Sequence, residues 1–121
     1  MRARHCEDGR EETLRRAWGM LLALGAAPTY AGFRQAAAAA CAAAGRPELL
    51  LSLSKWLYPL VAEEQGTTAA AVERNIRTLI DRVWRRSPEL LRQAGFAGER
   101  RPTCGEFVGL LAARLAGAER A

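Results

Sequence analysis

Apolar residues in the second half of the chain recur with the spacing of an α-helix. Counted from Val72, they follow at 4, 7, 8 and 11 positions, which places them on a single stripe along a helix. The opposite side carries small or polar residues, namely Ala70, Glu73, Arg74, Arg77, Thr78 and Asp81. We therefore expect a helix over about 69–85 with one buried face and one outward face.

Another helical segment comes before this helix, across a short turn. Leucine and aromatic residues between Pro47 and Gln65 follow a helical spacing, and Gly66, Thr67 and Thr68 come next. Pro59 either kinks this segment or begins a new helix, and in both cases the helix ends by Gly66. Two helices joined by a tight turn, with small residues leading the second, are typical of a helix-turn-helix DNA-binding unit.

The rest of the chain also follows helical patterns. Residues 1–10 are polar and without periodicity, which predicts a disordered N-terminal tail. Further helices are expected over Glu11–Leu24, over Tyr30–Ala44 after a Thr29 cap, after Ser87-Pro88, and after a capping box at Thr103 and Glu106. The alanine-rich stretch 36–44 suits close helix packing, although low-complexity filler is the alternative. The prediction is an all-α domain of about six helices over residues 11–117.

Composition agrees with a self-sufficient helical domain. A chain of 121 residues, half of them hydrophobic, can bury a core without a metal or disulfides. Three widely spaced cysteines and one histidine predict neither a zinc site nor a disulfide framework, and we expect no cofactor. The N-terminus lacks a secretory signal, and the longest apolar run, 36–44, is too short to span a membrane. A cytoplasmic, nucleoid-associated protein is expected.

Positive charge is concentrated around the predicted helix at 69–85. The net charge of the chain is +5. Residues 72–101 have a net charge of +4, residues 1–71 have a net charge of +1, and the charges of residues 102–121 cancel. A local excess of this kind attracts polyanions and steers their approach. The same charges are also consistent with a solvated arginine face that binds nothing.

The outward side chains include types that match base edges. Arginine donates two hydrogen bonds to guanine and glutamate accepts one from cytosine, so Glu73, Arg74 and Arg77 are the candidate base-contacting residues. The alternative is a surface salt bridge, because Glu73 and Arg77 are four residues apart. Candidate phosphate contacts, on weaker grounds, are Lys55, Thr68, Thr78, Arg82, Arg85 and Arg86. The three tryptophans, Trp18, Trp56 and Trp84, are expected to anchor the core.

No catalytic constellation is visible in the sequence. There is no nucleophile with an adjacent base, no carboxylate pair and no glycine-rich phosphate cradle. We therefore expect a binding protein and not an enzyme.

Several runs resemble a known family. They are Leu57-Tyr58-Pro59, Thr67-Thr68-Ala69, Val72-Glu73-Arg74, Ile76-Arg77, Trp84, Arg101-Pro102-Thr103 and Glu106-Phe107. In this order, over about residues 13–117, the chain resembles the C-terminal DNA-binding domain of the master sporulation response regulator of endospore-forming bacteria. The resemblance implies a six-helix effector domain that binds short DNA boxes, with Glu73, Arg74 and Arg77 reading bases in the major groove.

The chain departs from that family pattern at two positions. Ala71 stands where the family has an arginine and Thr78 where it has a histidine, which bears on backbone contacts and affinity. The family also carries an N-terminal receiver domain, for which the stretch before the first predicted helix is too short. The expected function is a transcriptional regulator that binds specific double-stranded DNA, with self-association on adjacent sites. The alternative is an interaction module of the same fold that binds RNA polymerase or a full-length regulator without useful DNA affinity.

Overall fold

Strong helix formers fill most of this chain, and the structure is helical accordingly. The computed structural model describes residues 2–96 and 99–120, and that part contains no strand. None of the described helices is long and apolar enough to cross a membrane. The helices, in order, are α1 (Arg2–Ala23), α2 (Ala31–Gly45), a 3₁₀ segment (Pro47–Leu51), a π-helical segment (Leu53–Leu57), α3 (Tyr58–Gln65), α4 (Ala69–Arg86), α5 (Pro88–Gln93) and α6 (Cys104–Arg120). The all-α prediction with about six helices is confirmed.

The alanine-rich helix α2 runs through the centre of the domain. Its residues 36–40 are buried, and it packs against α1, α4 and α6. Small side chains allow this because the neighbouring backbones can approach closely. At Gly32 the approach is closest, since a Cβ atom there would lie 2.3 Å from the carbonyl oxygen of Asn75 in α4. The alanine stretch is therefore a packing surface and not filler.

Aromatic side chains contribute large anchors to this core. Phe33 and Phe107 are fully buried, and Trp18 packs edge-on against Phe33 with ring centroids 5.1 Å apart. Trp84 is half-buried against the same core, as predicted. The prediction for Trp56 is wrong, because this side chain is 43% exposed. It lies in the irregular π-helical segment, where the α-helical spacing used for the prediction does not hold.

Helix α1 is longer than the sequence predicted. It begins at Arg2, so residues 2–10 are helical where a disordered tail was expected, while Met1 lies outside the described residues. Arginine, alanine and glutamate are good helix formers, and Arg10 forms an ion pair with Glu64 of α3. Helical propensity and this long-range contact both support a segment whose lack of apolar periodicity indicated a tail.

The segment before the turn is divided more finely than the sequence indicated. Pro47 begins a 3₁₀ segment, extended backbone at Ser52 ends it, and the π-helical segment leads into α3. Pro59 lies in the first turn of α3, where its missing N–H costs nothing. The backbone at Leu57 and Tyr58 is helical, so α3 continues the π-helical segment directly and no new helix starts at Pro59. The expected Thr29 cap is not formed, since α2 has Tyr30 at its N-cap without a side-chain capping bond.

Candidate nucleic-acid interface

Helices α3 and α4 form a two-helix unit whose turn is built locally. Gly66 adopts the left-handed conformation (φ 68°, ψ 38°), which glycine reaches at little cost. The N–H of Thr67 then donates to the carbonyl of Ala62 at 2.9 Å and closes α3. Thr68 caps α4 by accepting from the N–H of Ala71 at 3.1 Å. The helix-turn-helix layout is thus present, with the start of α4 set by its own cap.

The apolar stripe of α4 holds this helix in a single rotational setting. All five predicted core residues are at most 2% exposed: Val72, Ile76, Leu79, Ile80 and Val83. Burial of that many branched side chains outweighs any single surface contact, at roughly 1.5–3 kcal/mol each. The polar face opposite must therefore point outward. The predicted stripe and the predicted outward face are both confirmed.

Glu73, Arg74 and Arg77 lie together on that outward face. Oε1 of Glu73 and Nη2 of Arg77 are 2.5 Å apart, and the two side chains are 41% and 57% exposed. Arg74, the residue after Glu73, is exposed. It forms no ion pair with any residue in the described part of the chain. The salt bridge expected as the alternative is thus formed in the unbound protein. Because both partners are exposed, it contributes only about 0.3–0.5 kcal/mol and is easily exchanged for other partners.

A buried tyrosine lies next to the Glu73–Arg77 pair. The side chain of Tyr58 lies next to that of Cys104, the first residue of α6. Burial, with a smaller contribution from that contact, raises the pKa of Tyr58 above its usual range. This phenol therefore stays neutral and adds no charge next to the ion pair. An open groove of about 850 Å³ borders the tyrosine and the ion pair. Its lining includes Ser52, Ser54, Tyr58, Glu73, Arg77 and Arg101.

The arginines predicted to contact phosphates have different surroundings. Arg82 lies over the ring of Tyr30 at 4.8 Å, and Arg86 donates to the hydroxyl of Tyr30 at 3.3 Å. Arg85 is paired through Nε with Asp81 at 3.2 Å. All three guanidinium groups are exposed and keep unused N–H donors. They reach solvent on two sides of α4, with Arg82 and Arg86 on the side of α2.

The other three phosphate candidates are less well placed. Lys55 lies over the ring of Trp56 at 5.8 Å, outside the helix-turn-helix unit. The hydroxyl oxygen of Thr68 is used for the helix cap, although its proton remains available. Thr78 donates its proton to the carbonyl of Arg74 at 2.9 Å. Since a phosphate only accepts hydrogen bonds, Thr78 must rotate away from that carbonyl before it can bind one.

The structure adds a basic segment to which sequence reasoning assigned no contact. Arg101 donates from Nη1 to Oδ1 of Asp81 at 2.7 Å. Its neighbour Arg100 binds both carboxylate oxygens of Glu106, at 2.9 and 3.1 Å. The charge excess already included both arginines, but their position beside α4 depends on a contact across twenty residues. Periodicity within a helix carries no signal for such a contact.

The capping box at the start of α6 holds the segment of Arg100 and Arg101 in place. Oε1 of Glu106 accepts from the N–H of Thr103 at 2.8 Å, and the N–H of Glu106 donates to Oγ1 of Thr103 at 3.1 Å. Hydrogen bonds from Arg100 and from the Thr103 backbone lower the pKa of Glu106 to about 2. The predicted capping box is confirmed, and its carboxylate stays charged over the whole physiological range.

This surface offers several guanidinium donors and a carboxylate acceptor on a rigid helix, a set that suits base edges and phosphates. Comparison with known families agrees with that chemistry. The family model described as "Sporulation initiation factor Spo0A C terminal" matches residues 18–115, a range that runs from within α1 into α6 and includes the whole outward face of α4. The chain therefore belongs to this family of sporulation-factor C-terminal domains, which are DNA-binding domains of transcription regulators and not enzymes.

Proposed function

We propose that this chain is a sequence-specific regulator that binds double-stranded DNA by inserting α4 into the major groove. The observation that carries the proposal is the outward face of α4, where Glu73, Arg74 and Arg77 are exposed while the opposite stripe is fully buried. Arg74 and Arg77 supply donors for guanine, and Glu73 supplies an acceptor for cytosine. We further propose residues 11–117 as the DNA-binding domain, which contains the family match over 18–115.

The start of α4 is suited to a close approach to DNA. Ala69, Ala70 and Ala71 present only methyl groups in the first turn, so nothing bulky separates the helix from the groove. The N-terminal end of a helix also carries a partial positive charge that favours nearby phosphate. Ala71 lacks the positive charge of the arginine that the family has at this position. We therefore expect Arg82, Arg85 and Arg86 to supply the main contacts to the DNA backbone.

Selection from random double-stranded DNA tests base reading directly. The purified chain is expected to enrich one short box, whereas no enrichment would favour the interaction module and overturn the proposal. Arg74→Ala should then weaken binding to that box by roughly 5- to 150-fold, which corresponds to about 1–3 kcal/mol for a lost guanine contact. The matched control is Arg15→Ala, since Arg15 is an exposed arginine of α1 with its own acidic neighbour, Glu12. This control should leave box affinity unchanged.

The salt dependence of binding tests the phosphate contacts. If Arg82, Arg85 and Arg86 each neutralise a phosphate, the logarithm of the binding constant should fall with the logarithm of salt concentration with a slope of roughly −3 per domain. A binding isotherm that hardly moves between low and physiological salt would contradict these contacts.

A further inference from the structure

We propose that Arg101, which lies outside the helix-turn-helix unit, forms together with Arg85 of α4 a second phosphate-binding point beside the outward face of this helix. This inference rests on the proposed function and adds to it a residue from the segment before α6. The ligand is a backbone phosphate of the same duplex whose bases α4 reads. The carboxylate of Asp81 brings the two guanidinium groups together by pairing with both.

The contacts define this cluster. Oδ1 of Asp81 accepts from Arg101 at 2.7 Å, and Oδ2 lies 3.2 Å from Nε of Arg85. Each carboxylate oxygen is therefore occupied by a different arginine, and the three groups together carry a net charge of +1. Arg101 and Arg85 remain 49% and 78% exposed. Each guanidinium has five N–H donors, so both keep several that are free to bind an anion.

The position of the cluster fits a phosphate and not a base. Asp81 lies seven residues beyond Arg74, which keeps it on the same face and places it about 10 Å further along the helix. The major groove is about 12 Å wide. When Arg74 reaches the base edges, a cation about 10 Å away along α4 is therefore at the distance of the flanking phosphate backbone. Charge at that point adds affinity without sequence preference.

Arg101 is held beside α4 by more than its ion pair. Arg100 donates to the carbonyl oxygen of Arg101 at 3.1 Å and is itself fixed on Glu106 of the capping box. The segment is thus anchored to α6 independently of Asp81.

Single substitutions in the cluster are expected to act in opposite directions. Arg101→Gln removes one phosphate contact and should weaken binding to the box and to a scrambled duplex alike, by about three- to tenfold near 0.1 M salt, and reduce the salt slope by about one. Asp81→Asn removes a negative charge next to the phosphate and should tighten binding to both duplexes. Arg101→Lys keeps the charge and should keep the salt slope.

The ion pair between Arg15 and Glu12 on α1 provides matched controls, since Arg15→Gln and Glu12→Gln make the same charge changes away from α4. Neither should change affinity or slope. If the Asp81–Arg101 pair has only a structural role, both of its substitutions lower the melting temperature and weaken binding together, and that result overturns the proposal. Unchanged affinity and slope for Arg101→Gln, in a chain that still selects its box, overturns it while the proposed function stands. An unmodified chain that binds no duplex overturns both.

Discussion

The ion pair between Glu73 and Arg77 allows base reading to be separated from a purely structural role. Glu73→Ala, Arg77→Ala and the double substitution remove each partner and then both. The bridge connects side chains that are 41% and 57% exposed, so it contributes about 0.3–0.5 kcal/mol to folding. For a domain of this size such a loss lowers the melting temperature by roughly 1–3 °C. Thermal unfolding should thus change little in all three variants.

DNA binding should change much more, and differently for each partner. Arg77→Ala removes the proposed guanine contact together with a positive charge, which should weaken binding to the preferred box by about 1–3 kcal/mol, or roughly 5- to 150-fold. Glu73→Ala removes the proposed cytosine contact together with a negative charge that repels phosphates. It should therefore relax the preference for the box and leave binding to a scrambled duplex equal or tighter.

Fluorescence anisotropy titrations against the preferred box and a scrambled duplex, at fixed salt, measure both effects. The pair formed by Glu89 and Arg92 in α5 is a close control, because its atoms are also 2.5 Å apart and its side chains are also exposed. Alanine at either of these residues should leave the ratio of box to scramble affinity unchanged. The base-reading assignment is refuted if that ratio is equally unchanged for Glu73→Ala and Arg77→Ala.

Three further predictions concern the scaffold that presents α4. Gly32→Ala should destabilise the domain by about 1–3 kcal/mol, because its Cβ would lie 2.3 Å from the Asn75 carbonyl oxygen. Gly109→Ala, in open space in α6, should instead stabilise it by about 0.5–1 kcal/mol. Chemical denaturation measures the free energy of unfolding of both variants. Thr68→Ala should cost about 1 kcal/mol through the lost cap of α4, and a melting temperature equal to that of the unmodified chain would contradict this. The Glu106 pKa is depressed from 4.5 to about 2, so its contribution to stability is complete above about pH 4.5 and is lost as pH falls towards 2. The gap in melting temperature between the unmodified chain and Glu106→Gln should close over that range, and a gap that stays constant would count against the lowered pKa of Glu106.

Elements that depend on neighbouring residues could be predicted well. The apolar stripe of α4 repeats within a few residues, Gly66 is the residue suited to the left-handed turn, and Thr103 and Glu106 form a capping box three residues apart. The base-contacting candidates could be placed on one outward face for the same reason. Their roles on DNA stay a prediction, since the positions of side chains on a free helix do not establish what they contact in a complex.

Elements that lack such a local signal were predicted less well. Residues 2–10 show no apolar periodicity, yet they continue α1, and Arg10 at the end of that stretch contacts α3. Trp56 follows an apolar run but lies in a π-helical segment, which turns its side chain into solvent. In both cases the decisive factor is a neighbouring element or an irregular backbone, and neither is encoded in helical spacing.

The sequence by itself determined that the chain is helical, where α4 begins and ends, and which of its faces points outward, because backbone hydrogen bonding and side-chain periodicity act over four residues or fewer. Tertiary structure alone decided which groups surround that face. It brings Arg101 to Asp81 across twenty residues and places the buried Tyr58 next to Glu73 and Arg77. These neighbours meet because α2, with alanines along its buried face, lets α4 and α6 pack closely on it. That packing depends on the shapes of several helices at once, so no local stretch of sequence specifies it.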